Sequence, residues 1–209
     1  MKKAFFSVAM FAATITVTSA ALAQTVIDFA DEATGDKPNG WSTAAAPDVT
    51  FTDTDGEGLY VGDFGSQSDG KALLVNPDDP RALQIDFAAP VSSISLAFGN
   101  DDDCCASAGD VALLTLTLGG VAVDEVSVAL NLNDLMDQTI SYSGSSFDRA
   151  VFMFADSGGD GISLIEIVDN ITFDNFQPAQ PVPVQPVVAL WLLAGLAGLL
   201  GIRQLRKAA

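Results

Sequence analysis

Short runs that alternate between apolar and polar residues fill the middle of the chain. Between residues 91 and 98, Ile94, Leu96 and Phe98 share one face, and the smaller residues between them share the other. A period of two is typical of a half-buried strand. The pattern predicts strands at residues 25–29, 49–52, 58–61, 72–75, 82–87, 92–98, 111–118, 121–130, 138–142, 150–155 and 162–176.

Gly, Asp, Asn and Pro separate these runs. Gly119 and Gly120 stand alone between two of them, which predicts a two-residue β-hairpin. No stretch between residues 24 and 180 keeps a helical period of 3.6. We therefore expect an all-β fold, an antiparallel β-sandwich over residues 24–176. A domain of this size buries about 68–70% of its unfolded surface and needs no staple to fold.

The N-terminus has the pattern of a secretory signal peptide. Lys2 and Lys3 precede an apolar stretch over residues 4–17, and Ala21 and Ala23 form an A-x-A cleavage site. Residues 1–23 are therefore predicted to pass through the Sec export machinery and to be removed by signal peptidase. The alternative is an uncleaved N-terminal anchor.

The C-terminus has the pattern of a membrane anchor. The apolar run over residues 187–202 is followed by Arg203, Arg206 and Lys207. Sixteen residues make about 24 Å of helix, slightly less than a hydrocarbon core of about 30 Å, and flanking residues can make up the difference. We predict a transmembrane helix with residues 203–209 as a basic cytoplasmic tail. The alternative is a buried core helix.

A Pro-rich segment, residues 177–186, leads into that helix and favours an extended spacer. Its Pro181, Val182 and Pro183, followed by one apolar helix and a basic end, resemble the sorting signals of the PEP-CTERM class, in a divergent form of the Val-Pro-Leu-Pro-Ala variant. The resemblance implies processing by an exosortase-type transpeptidase in a Gram-negative bacterium. It also implies an inner-membrane intermediate and then a cell-surface or extracellular location, in an exopolysaccharide or biofilm context.

A second resemblance covers the ectodomain. Its opening Ile27-Asp-Phe29, central Phe87-x-x-Pro-Val91 and closing Val168-Asp-Asn-Ile-Thr-Phe173 are similar to jelly-roll ectodomains of PEP-CTERM proteins, which in turn resemble carbohydrate-binding modules. That likeness implies a structural Ca²⁺ between the first and last strands. Its ligands would be Asp28, Asp169 and Asp174.

The charge is concentrated in the predicted ectodomain. All 27 acidic residues lie between residues 24 and 180, against Lys37, Lys71, Arg81 and Arg149, so this segment carries 4 − 27 = −23 while the whole chain carries −18. Such a surface repels nucleic acid and anionic lipid, and it attracts divalent cations. The chain has no histidine, which excludes Ser-His-Asp and Cys-His catalysis and histidine-ligated zinc.

One acidic motif has spacing suited to a hard cation. Asp53, Asp55 and Glu57 alternate with small residues and glycines, which converges carboxylate oxygens as Ca²⁺ requires. The alternative interpretation is a solvated acidic turn.

The two cysteines, Cys104 and Cys105, are adjacent. Thiols of exported proteins are usually oxidised. Neighbouring Cα atoms lie about 3.8 Å apart, which is below the usual disulfide range, so a vicinal bond is possible but strained. Two free thiols or bonds to another chain are the alternatives.

These features favour a surface or matrix protein without catalytic activity. The first alternative is a calcium-stabilised carbohydrate-binding module, which an aromatic platform near Trp41 would favour. The second is a glycoside hydrolase that uses a carboxylate pair. The sequence singles out no such pair.

Overall fold

The computed structural model describes residues 24–56, 58–75, 80–101 and 105–174. The chain divides into two units, Met1–Phe176 and Gln177–Ala209, and every described residue belongs to the first. Within the described ranges, no helix is both long enough and apolar enough to cross a bilayer. Several predictions lie outside the described residues: the signal peptide with Ala21 and Ala23, Glu57, Cys104, the motif at Pro181, Val182 and Pro183, the apolar helix, and Arg203, Arg206 and Lys207.

Ten strands and one short 3-10 turn make up the described fold. The strands are β1 Gln24–Ile27, β2 Gly35–Lys37, β3 Val49–Asp53, β4 Leu59–Asp63, β5 Lys71–Val75, β6 Leu83–Gly99, β7 Val111–Leu118, β8 Val121–Ala129, β9 Gln138–Ala155 and β10 Ile167–Asp174, with the 3-10 turn at Gly65–Gln67. The predicted all-β class is confirmed.

The strands follow the order β2-β4-β5-β10-β6-β9-β7-β8, with β1 on β10 and β3 on β6. Each of these pairings is antiparallel. Strand β10 is shared, since its first residues pair with β5 and its last four with β1. It therefore lies in the middle of its layer, where both of its edges are hydrogen-bonded.

The two longest strands, β6 and β9, were each predicted as two separate strands. Their mutual register shifts between Asp86 and Val91 and again between Val91 and Ser93. Pro90 lies in this interval and cannot donate a ladder hydrogen bond. Irregularities of this kind bend a strand without ending it, so the local pattern resembled a loop although the strand continues.

The bend folds the two halves of these strands over each other. Phe98 pairs in register with Gln138, yet its ring lies 5.6 Å from that of Phe152 and 5.9 Å from that of Phe154. Phe152 and Phe154 belong to the opposite half of β9, so these contacts run between two facing layers. The fold is therefore the expected antiparallel β-sandwich, and its core consists of the apolar residues that alternate along each strand.

Four local features also bear on the strands predicted from the sequence. The hairpin between β7 and β8 turns at Gly119 and Gly120, whose φ angles are +57° and +79°, as a two-residue turn of this kind requires. Strand β1 ends before Phe29, which has φ +54°. The last strand begins at Ile167, five residues later than predicted, and β2 was missed because three polar or small residues give no apolar pattern.

Candidate functional site

A cleft of about 430 Å³ opens where the strand pair β1–β10 faces the pair β3–β6. Two register pairs set its walls, Thr25 with Phe173 and Val49 with Phe87. The rings of Phe87 and Phe173 meet edge to face at 5.1 Å and form its floor. Its lining residues are Thr25, Ala45, Ala46, Pro47, Asp48, Val49, Phe87, Ala88, Ala89, Val91 and Phe173.

One side-chain and two backbone acceptors bind the amides that hold the wall of the cleft preceding β3. The Ala46 amide donates to Oγ1 of Thr43 at 3.0 Å, and the Val49 amide donates to the Ala46 carbonyl at 3.1 Å. The Ala88 amide donates to the Asp48 carbonyl at 2.9 Å and ties this wall to β6. The cleft is therefore formed by an ordered backbone, and a ligand would enter it without first having to arrange its walls.

Asp48 gives the cleft its charge. It is the single charged residue among the lining residues, and its side chain is exposed. Within the described part of the chain, no hydrogen bond or ion pair engages the Asp48 carboxylate. It is thus an exposed hydrogen-bond acceptor in the lining of the cleft.

A second concavity, the hydroxyl groove, lies on the outer face of the same strands. Ser93 pairs with Ser143 and Ser95 with Ser141, which places four hydroxyls side by side across β6 and β9. Gln24 and Thr172 extend the groove, whose volume is about 180 Å³. The side-chain hydroxyls of Ser95, Ser141 and Ser143 make no hydrogen bond to any described residue. They remain available to a polar ligand.

The first predicted cation site surrounds a guanidinium. Asp53 is 1% exposed, and its carboxylate accepts hydrogen bonds from the amides of Asp55 and Gly58, both at 3.0 Å, and from Nη1 of Arg81 at 3.1 Å. Nε of Arg81 lies 3.9 Å from the Asp55 carboxylate. The spacing of these carboxylates predicted that Ca²⁺ would supply a positive charge between them. Within the described residues, Arg81 supplies a positive charge there.

The second predicted site is assembled differently from the prediction. Asp169 is 1% exposed, and burial raises the pKa of its carboxyl to about 7. The Asn170 amide donates to Oδ1 at 2.7 Å and lowers this pKa. The nearby charges of Asp28 and Asp69 raise it further. Oδ2 of Asp169 is buried without a hydrogen-bond partner in the described structure. Asp169 therefore lies near Asp28, as predicted, and also near Asp69, which was not predicted.

Asp174 lies apart from that pair. It follows Asp169 by five positions along β10, or about 16 Å of extended strand. Its Oδ1 accepts the amides of Ser92 at 2.9 Å and Ser93 at 2.6 Å, and its Oδ2 accepts the Ser92 hydroxyl. Burial alone would raise the pKa of Asp174, but these hydrogen bonds outweigh burial and hold the pKa below its usual value. The structure thus brings Asp28 to Asp169 but leaves Asp174 at the other end of the strand.

Among residues 24–56, 58–75, 80–101 and 105–174, no group of three or more Asp, Glu, His or Cys side chains is arranged to hold a metal ion. Structural Ca²⁺ stays a prediction. Cys105 takes part in a disulfide, and the vicinal bond stays a prediction because Cys104 lies outside the described residues.

Trp41 packs into the edge of the core. Its ring lies 6.4 Å from that of Phe29 and 6.0 Å from that of Phe51, and Nζ of Lys37 sits 5.3 Å from its centroid. Its aromatic surface is therefore engaged by the protein itself. Trp41 remains partly exposed, and an aromatic platform near it stays a prediction.

The lysines and arginines of the described fold are all bonded within it. Lys37 donates to the Ala33 carbonyl at 2.6 Å, Lys71 donates to the carbonyls of Ala30 and Glu32, and Arg149 pairs with Asp86 at 2.6 Å. Arg81 lies in the Asp53 cluster. The remaining exposed carboxylates, Asp48 among them, therefore have no cation of the fold to neutralise them.

No protein-family description and no curated protein matches the chain. Among solved structures, the chain is similar to the family 32 carbohydrate-binding module of C. perfringens NanJ in complex with galactose, at 15% identity and a TM-score of 0.35, covering 70% of this chain and all of that one. A family 29 carbohydrate-binding module is 16% identical at a TM-score of 0.34, covering 74% of this chain and 89% of that one. A DUF4465 family protein from Bacteroides caccae is 10% identical at a TM-score of 0.38, covering 73% of this chain and all of that one. TM-scores below 0.5 at such identities establish neither a shared function nor a shared site.

The sequence analysis did not find the cleft. Its lining comes from four separated stretches, at residue 25, residues 45–49, residues 87–91 and residue 173. None of them carries a motif, and their small apolar residues have the composition of ordinary strand ends. A signal existed only for the hydroxyl groove, where serines alternate with apolar residues along two predicted strands.

Proposed function

We propose that the described domain is a non-catalytic carbohydrate-binding domain whose ligand enters the cleft lined by Phe87, Phe173 and Asp48. The cleft itself supports this proposal. Its volume falls within the range of about 300–1,000 Å³ that is usual for small-molecule sites. We further propose that the sandwich is of the jelly-roll type found among carbohydrate-binding modules.

A sugar ring fits the chemistry of these walls. Its C–H faces can lie against Phe87, Phe173 and Pro47, while a hydroxyl donates to the Asp48 carboxylate. A charged acceptor makes a stronger hydrogen bond than a neutral one. The hydroxyl groove on the opposite face offers a separate contact area that is rich in serine hydroxyls.

The same geometry favours binding over hydrolysis. Glycoside hydrolysis uses two carboxyl groups that flank the bond at separations of about 5–10 Å. The cleft presents one carboxylate, that of Asp48. A ligand held there has an acceptor to bind but no second carboxyl to act as acid or nucleophile.

Filling the cleft tests this function. Ala45 lines the cleft and is exposed, whereas its neighbour Ala44 is exposed but is not part of the lining. We expect the purified protein to bind sugars on a glycan array, and we expect Ala45→Trp to weaken that binding about tenfold or more by occupying the cleft. The matched control Ala44→Trp should bind as the wild type does. Absence of binding to every glycan, or wild-type binding by Ala45→Trp, would contradict the proposal.

We also propose that this domain is exported and sorted to the cell surface or the extracellular matrix. The N-terminal pattern with Ala21 and Ala23 and the motif at Pro181, Val182 and Pro183 support this. Sec, signal peptidase and an exosortase-type transpeptidase would be the partners in that route. The test is the intact mass of the protein in each cell fraction. A chain from Gln24 to between residues 181 and 186, outside the inner membrane, is expected; one that ends at Ala209 in the inner membrane would contradict sorting.

A further inference from the structure

The negative charge of Asp48 indicates which class of sugar the cleft would bind. Asp48 carries the only charge among the lining residues, and no described residue engages its side chain. The Asp48 side chain is exposed, so a ligand in the cleft can reach its carboxylate. That carboxylate gains most from a ligand that brings a positive charge to it.

The protein cannot easily supply that charge itself. Lys37 and Lys71 are bonded to backbone carbonyls, and Arg81 and Arg149 to carboxylates. None of these four residues lines the cleft. A cation for Asp48 must accordingly come from outside the described fold.

The net negative charge of the whole molecule also favours a positively charged ligand. The chain carries a net charge of −18, which repels uronic acids and sulfated sugars and attracts cationic ligands. Neutral sugars feel neither effect. Among anionic, neutral and amine-bearing sugars, the negative surroundings of the cleft therefore favour the amine-bearing class.

We propose that the cleft binds a hexosamine unit that carries a free, protonated amino group, with the ammonium on the Asp48 carboxylate and the ring against Phe87 and Phe173. This inference rests on the proposed carbohydrate-binding function and names its substrate class. The ammonium donates to the carboxylate, and the apolar face of the ring covers the cleft floor. The site would therefore bind a sugar with a free amino group more tightly than its N-acetylated form, because N-acetylation removes the positive charge.

The experiment compares three trisaccharides of one linkage, built from glucosamine, from N-acetylglucosamine and from glucose. Each is titrated calorimetrically into the full-length protein at about pH 6, where the amine is protonated. We expect the glucosamine ligand to bind up to about fivefold more tightly than the other two, as an ion pair worth up to about 1 kcal/mol allows. The preference should fall as salt is added.

Two variants distinguish a direct contact between the amino group and Asp48 from long-range attraction to a negatively charged protein. Asp48→Asn should abolish the preference for glucosamine. Asp36→Asn removes the same charge from an exposed position on β2 outside the cleft, and it should keep the preference. Since the Asp48 side chain holds no described residue in place, the comparison does not depend on a change in folding. The N-acetylated ligand tests the same contact in the unaltered protein.

Each outcome decides the question. Equal binding of the glucosamine and glucose ligands overturns this inference and leaves carbohydrate binding standing. Equal weakening by Asp48→Asn and Asp36→Asn also overturns it, because the attraction would then be long-range. If no sugar binds, or if Ala45→Trp changes nothing, the proposed function fails and this inference fails with it.

Discussion

Asp53 and Asp169 are buried to the same degree, each 1% exposed, but their surroundings differ. Asp53 receives a guanidinium and two backbone amides. Asp169 receives one amide, has no bond to Oδ2, and lies near two further carboxylates. The first carboxylate is compensated by the fold, whereas the second is not. Burial of a charge alone therefore does not tell whether that charge stabilises the fold or opposes it.

Arg81 accounts for most of this difference. It lies 28 positions from Asp53 in sequence and reaches it because β3 pairs with the start of β6, where Asp53 faces Leu83. Removing one member of a buried ion pair leaves the other charge without compensation, which costs more than the pair itself contributes.

The largest expected effect is that of Arg81→Met. We expect it to lower the free energy of unfolding by about 3–5 kcal/mol, since Asp53 would be left buried and charged. Urea denaturation at about pH 7 measures this. Arg149→Met is the matched control, because its partner Asp86 and Arg149 itself are partly exposed at 29% and 44%; about 0–1 kcal/mol is expected there. Equal losses in the two variants would contradict the special role of the buried pair.

A smaller effect is expected from the pH dependence of Asp169. Its pKa is about 7 when folded and about 3.9 when unfolded, so between these values the folded state binds more protons. Stability therefore falls as pH rises through this window and is lowest above pH 7. From about pH 5 to pH 8 the loss should reach about 3 kcal/mol.

Asp169→Asn removes this ionisation without a large change of shape. We expect the variant to be more stable than the wild type at about pH 8, and to lack the fall in unfolding free energy between about pH 5 and 8. Chemical denaturation at both pH values provides the measurement. Parallel pH profiles for variant and wild type would show that Asp169 does not titrate in this range.

Sequence analysis predicted most of the strands because alternation is a local property. It failed where distant segments decide the outcome. Pro90 and the register shifts around it concealed that β6 is continuous. The cleft is formed by four stretches that only the fold brings together. Arg81 lies against Asp53 and Asp55, and no motif in the sequence connects it to them.

The separation of Asp169 from Asp174 could have been expected from the sequence alone. Asp169 and Asp174 were placed in one cation site although both lie within a single predicted strand. Five positions along a strand span about 16 Å, which is too far for two ligands of one ion. Asp69, which lies near Asp169, could not have been found in this way, because its loop is separated from β10 by about a hundred residues.

The smallest expected effect concerns Ca²⁺, and it sharpens the comparison of the two carboxylates. Because Arg81 already compensates Asp53, we expect added Ca²⁺ to stabilise the protein through the uncompensated Asp169 and not through the Asp53 cluster. At about pH 8 and ten times the dissociation constant, the gain in unfolding free energy should be about 1.4 kcal/mol. Asp55→Asn should keep this gain and Asp169→Asn should lose it, as thermal unfolding with Ca²⁺ and with a chelator will show. A gain that disappears in Asp55→Asn instead would mean that the cation competes with Arg81, and that the compensated carboxylate is the one that metal recognises.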